Sequence, residues 1–341
     1  MTTFDHAIRG RGDTRRAYRT VVALIACAAG PTLWSSGLRF ARLLGADPGV
    51  WTVDVTRAVH AGCTIAAGLW LLALIDTRSR MDWPSRRALQ LLGAAALAAA
   101  DLTDRMTGLQ TDGTATDYRL PSAFLLVWLV REVLLHRDIG LARLGVRPNA
   151  GRPGRSAVPT WHIYGLVLLL FVTAAVAMNY LRLAFPGLVP AESQLTAIGV
   201  DNPLTLITRC VWTAFVEEVV VTGAVITLLR AADRPAWEWV LLPVTVRVLG
   251  HLYLGISATA QILVGAGVVY LYIVHRRLAP IVLVHGLYSS GPAGIALAIG
   301  VTGAVGIRDL IRSRRHSSAP RAPRTDTPPV DSAAAKESSS R

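Results

Sequence analysis

Long apolar stretches follow one another along this chain, separated by short polar segments rich in arginine. A helix of about 20 residues rises about 30 Å, the thickness of a bilayer's hydrocarbon core. Candidate spans run from Ala17 to Gly37, Ala58 to Ile75, Ala88 to Asp104, Pro121 to His136 and Trp161 to Leu183. A second group runs from Pro203 to Leu229, Trp237 to Leu252, Ile256 to Val274, Pro280 to Ser290 and Ala293 to Ile307, the last two reading equally as one kinked span. With 52% hydrophobic residues and a mean hydropathy of +0.43, the chain carries more apolar surface than one soluble core buries. The bilayer has to serve as its solvent. The expected fold is therefore all-α, a polytopic transmembrane bundle of about ten spans.

The formal charge of +13 does not point to nucleic acid, because the arginines sit in short clusters between apolar stretches rather than along one face. Such clustering is the positive-inside pattern. Arg15, Arg16 and Arg19 set the N-terminus inside, and Arg308, Arg312, Arg314 and Arg315 do the same for the C-terminal end, so an even number of spans is expected, N-in and C-in. Basic loops after Ile75, His136, Leu229 and Val274 fit this orientation, whereas Arg39, Arg42 and Arg57 fall in a loop expected outside. Lys336 is the only lysine; the heavy use of Arg and Ala fits a bacterial source and hence a bacterial plasma membrane. Cys27, Cys63 and Cys210 lie in or beside apolar stretches without CxxC spacing, so neither a disulfide framework nor a cysteine metal site is expected.

The expected organisation is a basic cytoplasmic N-terminus (1–16), N-terminal membrane helices (17–136), a Gly-, Pro- and Arg-rich cytoplasmic linker (137–160), a further span with its outside loop (161–202), a second membrane domain (203–307) and a disordered basic tail (308–341). Asp101, Asp104 and Arg105, and Arg131 with Glu132, are read as local structural pairs.

Chemistry concentrates in the second membrane domain. Glu217, Glu218, His251 and His285, with Arg247, stand inside apolar stretches, where an ionised side chain costs roughly 2.5–3.5 kcal/mol on insertion scales. Neighbours on a helix point about 100° apart, so Glu217 and Glu218 have different tasks. One faces a wet cavity as a general base while the other braces a neighbouring helix. Arg247 and His251 are four apart and share a helix face, and Ser289 follows His285 by the same interval. A carboxylate beside an imidazole deprotonates water, and a second imidazole or hydroxyl donates to a developing oxyanion: the chemistry of peptide hydrolysis. Glu217, His251 and His285 are equally a ligand set for a divalent metal such as zinc, which would itself acidify the water. The spacing is compatible with both, and there is no HExxH.

Three motifs in this order resemble the CPBP family of intramembrane proteases, which includes the CAAX prenyl endopeptidases and the bacteriocin-processing or Abi proteins. The family's EExxxR reads here Glu217-Glu218-Val219-Val220-Val221-Thr222, its FxxxH reads Arg247-Val248-Leu249-Gly250-His251, and its HxxxN/D reads His285-Gly286-Leu287-Tyr288-Ser289. The resemblance implies a glutamate-dependent endopeptidase acting on a membrane-associated peptide or protein. Glu217 would activate the water with His251 as partner, Glu218 would support the site, and His285 would hold the scissile carbonyl. Three residues depart from the pattern. Thr222 stands for the arginine, Arg247 for the phenylalanine and Ser289 for the amide or acid. The first two read as one exchange, in which Arg247 supplies from the next helix the cation missing at position 222. Ser289, with a shorter reach than an amide, keeps open an inactive scaffold or immunity protein of the same family. Intramembrane carboxylates and histidines also serve proton-coupled transporters, although no paired repeat of the transporter kind is present.

Overall fold

The computed structural model describes residues 3–47, 49, 51–78, 84–107, 120–140, 144–145, 160–190, 200 and 202–317. Among these residues there are ten α-helices and no strand: α1 (Thr3–Leu43), α2 (Trp51–Arg78), α3 (Pro84–Thr107), α4 (Leu120–His136), α5 (Thr160–Ala184), α6 (Pro203–Ala231), α7 (Ala236–Gly250), α8 (Gln261–His275), α9 (Leu278–Ser289) and α10 (Pro292–Ser317). Six segments are long and apolar enough to cross a membrane: Thr14–Leu43, Trp51–Arg78, Trp161–Ala184, Pro203–Ala231, Leu252–His275 and Pro292–Ile311. The protein is an integral membrane protein. Of the other expected spans, α4 and α7 have 17 and 15 residues, α9 is apolar but has only 12, and α3 carries five charged residues. These four helices pack into the bundle without by themselves meeting the length and hydropathy of a span.

Several boundaries differ from the sequence expectation. The helix begun at Ala17 already exists from Thr3, and α10 continues to Ser317, beyond the point where the tail was expected to begin. Most of the 137–160 linker and residues 318–341 lie outside the described residues. Residues 280–307 form two helices rather than one kinked span, separated at Gly291, whose φ of +83° ends the first helix. His251 closes α7 instead of standing on its face, and the chain re-enters as a 3-10 segment, Leu252–Ala260, before α8. Gly255 turns that segment with φ +63°; a Cβ there would run into the Leu188 carbonyl.

α6 is the hub. Its apolar window is 78% buried, against 11–50% in the other five, because α1, α4, α7 and α9 all pack on it. In lipid there is little hydrophobic drive for helix association, so polar side chains fasten helices together. One such chain ties the N-terminal helices to α6. Thr64 of α2 donates to Asp101 of α3 (2.8 Å), Arg105 Nε donates to the same carboxylate (2.9 Å), and Arg105 Nη2 (2.6 Å) and Trp212 Nε1 of α6 (3.2 Å) both donate to Ser122 of α4. The expected local pair of Asp101 and Arg105 is thus part of a relay across four helices. A second fastening gathers the arginine-bearing ends. Arg234, before α7, donates to Tyr18 of α1 (2.9 Å) and pairs with Glu238, while Arg137 after α4 donates to the Arg16 carbonyl (2.7 Å) and to Thr20 (2.6 Å).

Removing one member of the buried pair leaves an uncompensated charge, which costs about 3–5 kcal/mol. Asp101→Ala and Arg105→Ala are each expected to lower the unfolding midpoint of the detergent-solubilised protein markedly. The double variant is expected to lose less than the sum, since each change removes the other's penalty.

Candidate active site

The two adjacent glutamates sit where α6 changes its winding. Phe215–Ala224 is a π-helical stretch, a widened turn that interrupts α-helices most often at functional sites. Thr222 shows the wider pitch directly: its hydroxyl donates to the carbonyl of Glu217, five residues back, at 3.0 Å. Gly223 is needed on this turn because a Cβ there would come within 2.9 Å of Leu278 and 3.1 Å of the Glu218 carbonyl. Nothing in the residue pattern, a run of valines after two glutamates, announces this winding.

The glutamates part as expected of neighbours. Glu218 is fully buried and faces the protein. Its Oε1 accepts from His285 Nδ1 (2.7 Å) and pairs with Arg247 Nη2, and its Oε2 lies 3.3 Å from the Thr222 hydroxyl, whose one hydrogen is shared with the nearer Glu217 carbonyl. Glu217 is 17% exposed at its side chain and lines a cavity of about 540 Å³. Its Oε2 lies 3.3 Å from Arg247 Nη2, and its Oε1 lies 3.9 Å from His251 Nε2.

The histidines are oriented by their other nitrogens. His251 Nδ1 donates to the carbonyl of Arg247 at 2.9 Å, possible because His251 turns back over the end of α7. A carbonyl only accepts, so Nδ1 carries the hydrogen and Nε2 presents a lone pair toward Glu217 when the ring is neutral. His285 is held by Glu218 on one side and by the Phe171 ring of α5, 4.7 Å between centroids, on the other. Ser289, the last residue of α9, lines the same cavity as Glu217, His251 and His285.

Arg247 therefore reaches both carboxylates from α7, and Thr222, standing where the motif has arginine, contacts Glu218 only through its hydroxyl. All seven residues singled out in the sequence meet within this region. The sequence reading missed Arg39 and Arg209, which line the cavity from α1 and α6; Arg209 is 8% exposed. An arginine near the start of an apolar stretch reads as an interfacial anchor, so no local signal sets Arg209 apart. Phe171, Trp212 and Tyr288 are also in the wall.

The metal expectation meets a different grouping. Among the described residues the cluster with ligand atoms within 4.8 Å of one another is Glu217, Glu218 and His285, without His251. That cluster already contains a cation. The Arg247 guanidinium occupies the approach to both carboxylates, and His285 Nδ1 carries the hydrogen it donates to Glu218. A divalent ion would have to displace the guanidinium or stand against it in a low-dielectric interior, so the residues do not fit a metal as they are arranged.

Residues 199–291 match the family described as type II CAAX prenyl endopeptidase Rce1-like. The match, over just that stretch, agrees with the resemblance of the three motifs to the CPBP intramembrane proteases. The match spans α6 to α9 and contains each of the seven site residues, while α1–α5 and α10 lie outside it. No curated protein and no solved structure matches the chain. The match supports a CAAX-type intramembrane protease at family level only.

If Arg247 is the cation that position 222 lacks, moving the charge back should restore the site. Arg247→Ala is expected to destabilise the solubilised protein by about 3–5 kcal/mol, the cost of stranding a buried carboxylate. Adding Thr222→Arg should recover a large part of that loss in thermal unfolding, whereas adding Thr222→Val should not.

Proposed function

We propose that this protein is an active intramembrane endopeptidase in which Glu217 is the general base. The carrying observation is the 3.9 Å separation of Glu217 Oε1 from His251 Nε2 at the wall of a 540 Å³ cavity. That distance is too long for a direct hydrogen bond and suits a bridging water. Two acceptors facing one water take both of its O–H bonds and turn an oxygen lone pair toward the cavity. Glu217 then accepts a proton as the water attacks a scissile carbonyl, and returns it to the leaving amine. His285, with Nδ1 held by Glu218, directs Nε2 to the cavity and as an imidazolium donates to the carbonyl oxygen as it becomes an oxyanion; Glu218 balances that charge. Ser289, one turn further on, supplies a hydroxyl in the same direction. Arg247 takes the part of a metal's positive charge without binding water, so chelators leave the activity unchanged.

The substrate is a membrane-associated peptide or protein that reaches the cavity from the bilayer. We place both ends of the chain inside a bacterial plasma membrane, with all ten helices in or across it. The arginine-bearing ends of α1, α4 and α6 gathered by Tyr18, Arg137 and Arg234 support that orientation.

The test compares membrane proteomes of cells holding the wild type, Glu217→Gln or His251→Ala at matched expression. New peptide termini are expected with wild type only, with cleavage lowered at least about 100-fold in Glu217→Gln, the scale of a lost general base. Identical profiles from all three would instead assign the protein a scaffold or immunity role.

A further inference from the structure

Behind the reaction cavity lies a second space of about 30 Å³, lined by Thr32 of α1, Trp212 and Glu217 of α6, and Arg247 and Gly250 of α7, among apolar neighbours. Three of the residues lining it each hold a buried polar atom with no hydrogen-bond partner within the protein: Thr32 Oγ1, Glu217 Oε2 and Arg247 Nη1. Arg247 is 4% exposed, and an unsatisfied guanidinium N–H at that depth is costly. An apolar cavity of this size stays dry; a polar one with two to four partners holds a water. Here one donor, one acceptor and one hydroxyl that serves as either belong to residues around room for a single molecule.

We infer that this space is a resident water site that positions the general base. The water accepts from Arg247 Nη1, donates to Glu217 Oε2 and exchanges its remaining bond with Thr32 Oγ1. Its consequence is orientational. Arg247 Nη2 pairs with Glu218 and lies 3.3 Å from Glu217 Oε2; the water links the other arm, Nη1, to that same oxygen, fixing Oε2 and leaving Oε1 to face His251 and the cavity. Thr32 becomes a positioning residue contributed by a helix outside the family match. This assignment of a role in turnover rests on the protease reading; the existence of the site does not.

Two measurements separate these. In an experimental map at about 2 Å resolution, a density peak within hydrogen-bonding distance of Thr32 Oγ1, Glu217 Oε2 and Arg247 Nη1 is expected in the wild type and is expected to vanish in Thr32→Leu, whose side chain fills the space. An empty space in the wild type overturns the proposal, whether or not the protein proves to be a protease. For turnover, a quenched peptide built on a wild-type-specific cleavage site is the probe. Thr32→Val, which keeps the shape and removes the hydroxyl, is expected to lower kcat about tenfold with KM unchanged, the scale of one oriented hydrogen bond. Thr32→Ser restores it. A Thr32→Val enzyme with wild-type kcat, or a Ser variant no better than Val, removes the positioning role.

Discussion

The guanidinium of Arg247, wedged between two carboxylates from the next helix, is the interaction on which the arrangement of the second membrane domain depends. Two adjacent glutamates in the middle of a bilayer helix are tolerable only if charge and hydrogen bonds compensate them. Arg247 and His285 both fall on Glu218, with the Thr222 hydroxyl nearby, which lets that residue be sealed. Glu217 receives less, a longer contact to the same arginine, and so remains available to the cavity. The inequality between neighbours separates a sealed carboxylate from one that faces the cavity.

The π-helical turn of α6 makes that inequality geometric. By widening the helix at Phe215–Ala224 it brings the Thr222 hydroxyl beneath Glu217 and sets Gly223 against Leu278, so that α9 approaches closely enough for His285 to reach Glu218. On α7, the turn at His251 frees its ring to fold back on the Arg247 carbonyl, and the ring's far nitrogen is then aimed by a backbone bond rather than by packing.

Much of this was legible beforehand. Apolar length and arginine clustering marked a helical membrane protein, and charge inside apolar stretches marked Glu217, Glu218, Arg247, His251 and His285, because burial of such groups is costly wherever the helices come to lie. The different surroundings of the two glutamates followed from helical periodicity alone. What was not legible depended on tertiary approach. The π turn has no sequence signature in a valine run, the chain after His251 turns at Gly255, which lies against the Leu188 carbonyl of a distant segment, and Arg209 carries no local signal. The buried relay from Thr64 to Trp212 was read as a local Asp101–Arg105 pair, since its other members are single hydroxyls and an indole on distant helices. That relay ties helices outside the family match to the wall of the reaction cavity, and so gives α2–α4 a structural connection to the site.

The most direct test of the division between the two carboxylates sets Glu217→Gln beside Glu218→Gln and reads both thermal unfolding and cleavage of the same membrane peptide. The account predicts that Glu217→Gln keeps the wild-type unfolding midpoint while cleavage is lost, and that Glu218→Gln loses several degrees of stability together with activity, because Arg247 is left without its closest partner. Equal stability losses in the two variants, or cleavage surviving in Glu217→Gln, would contradict it.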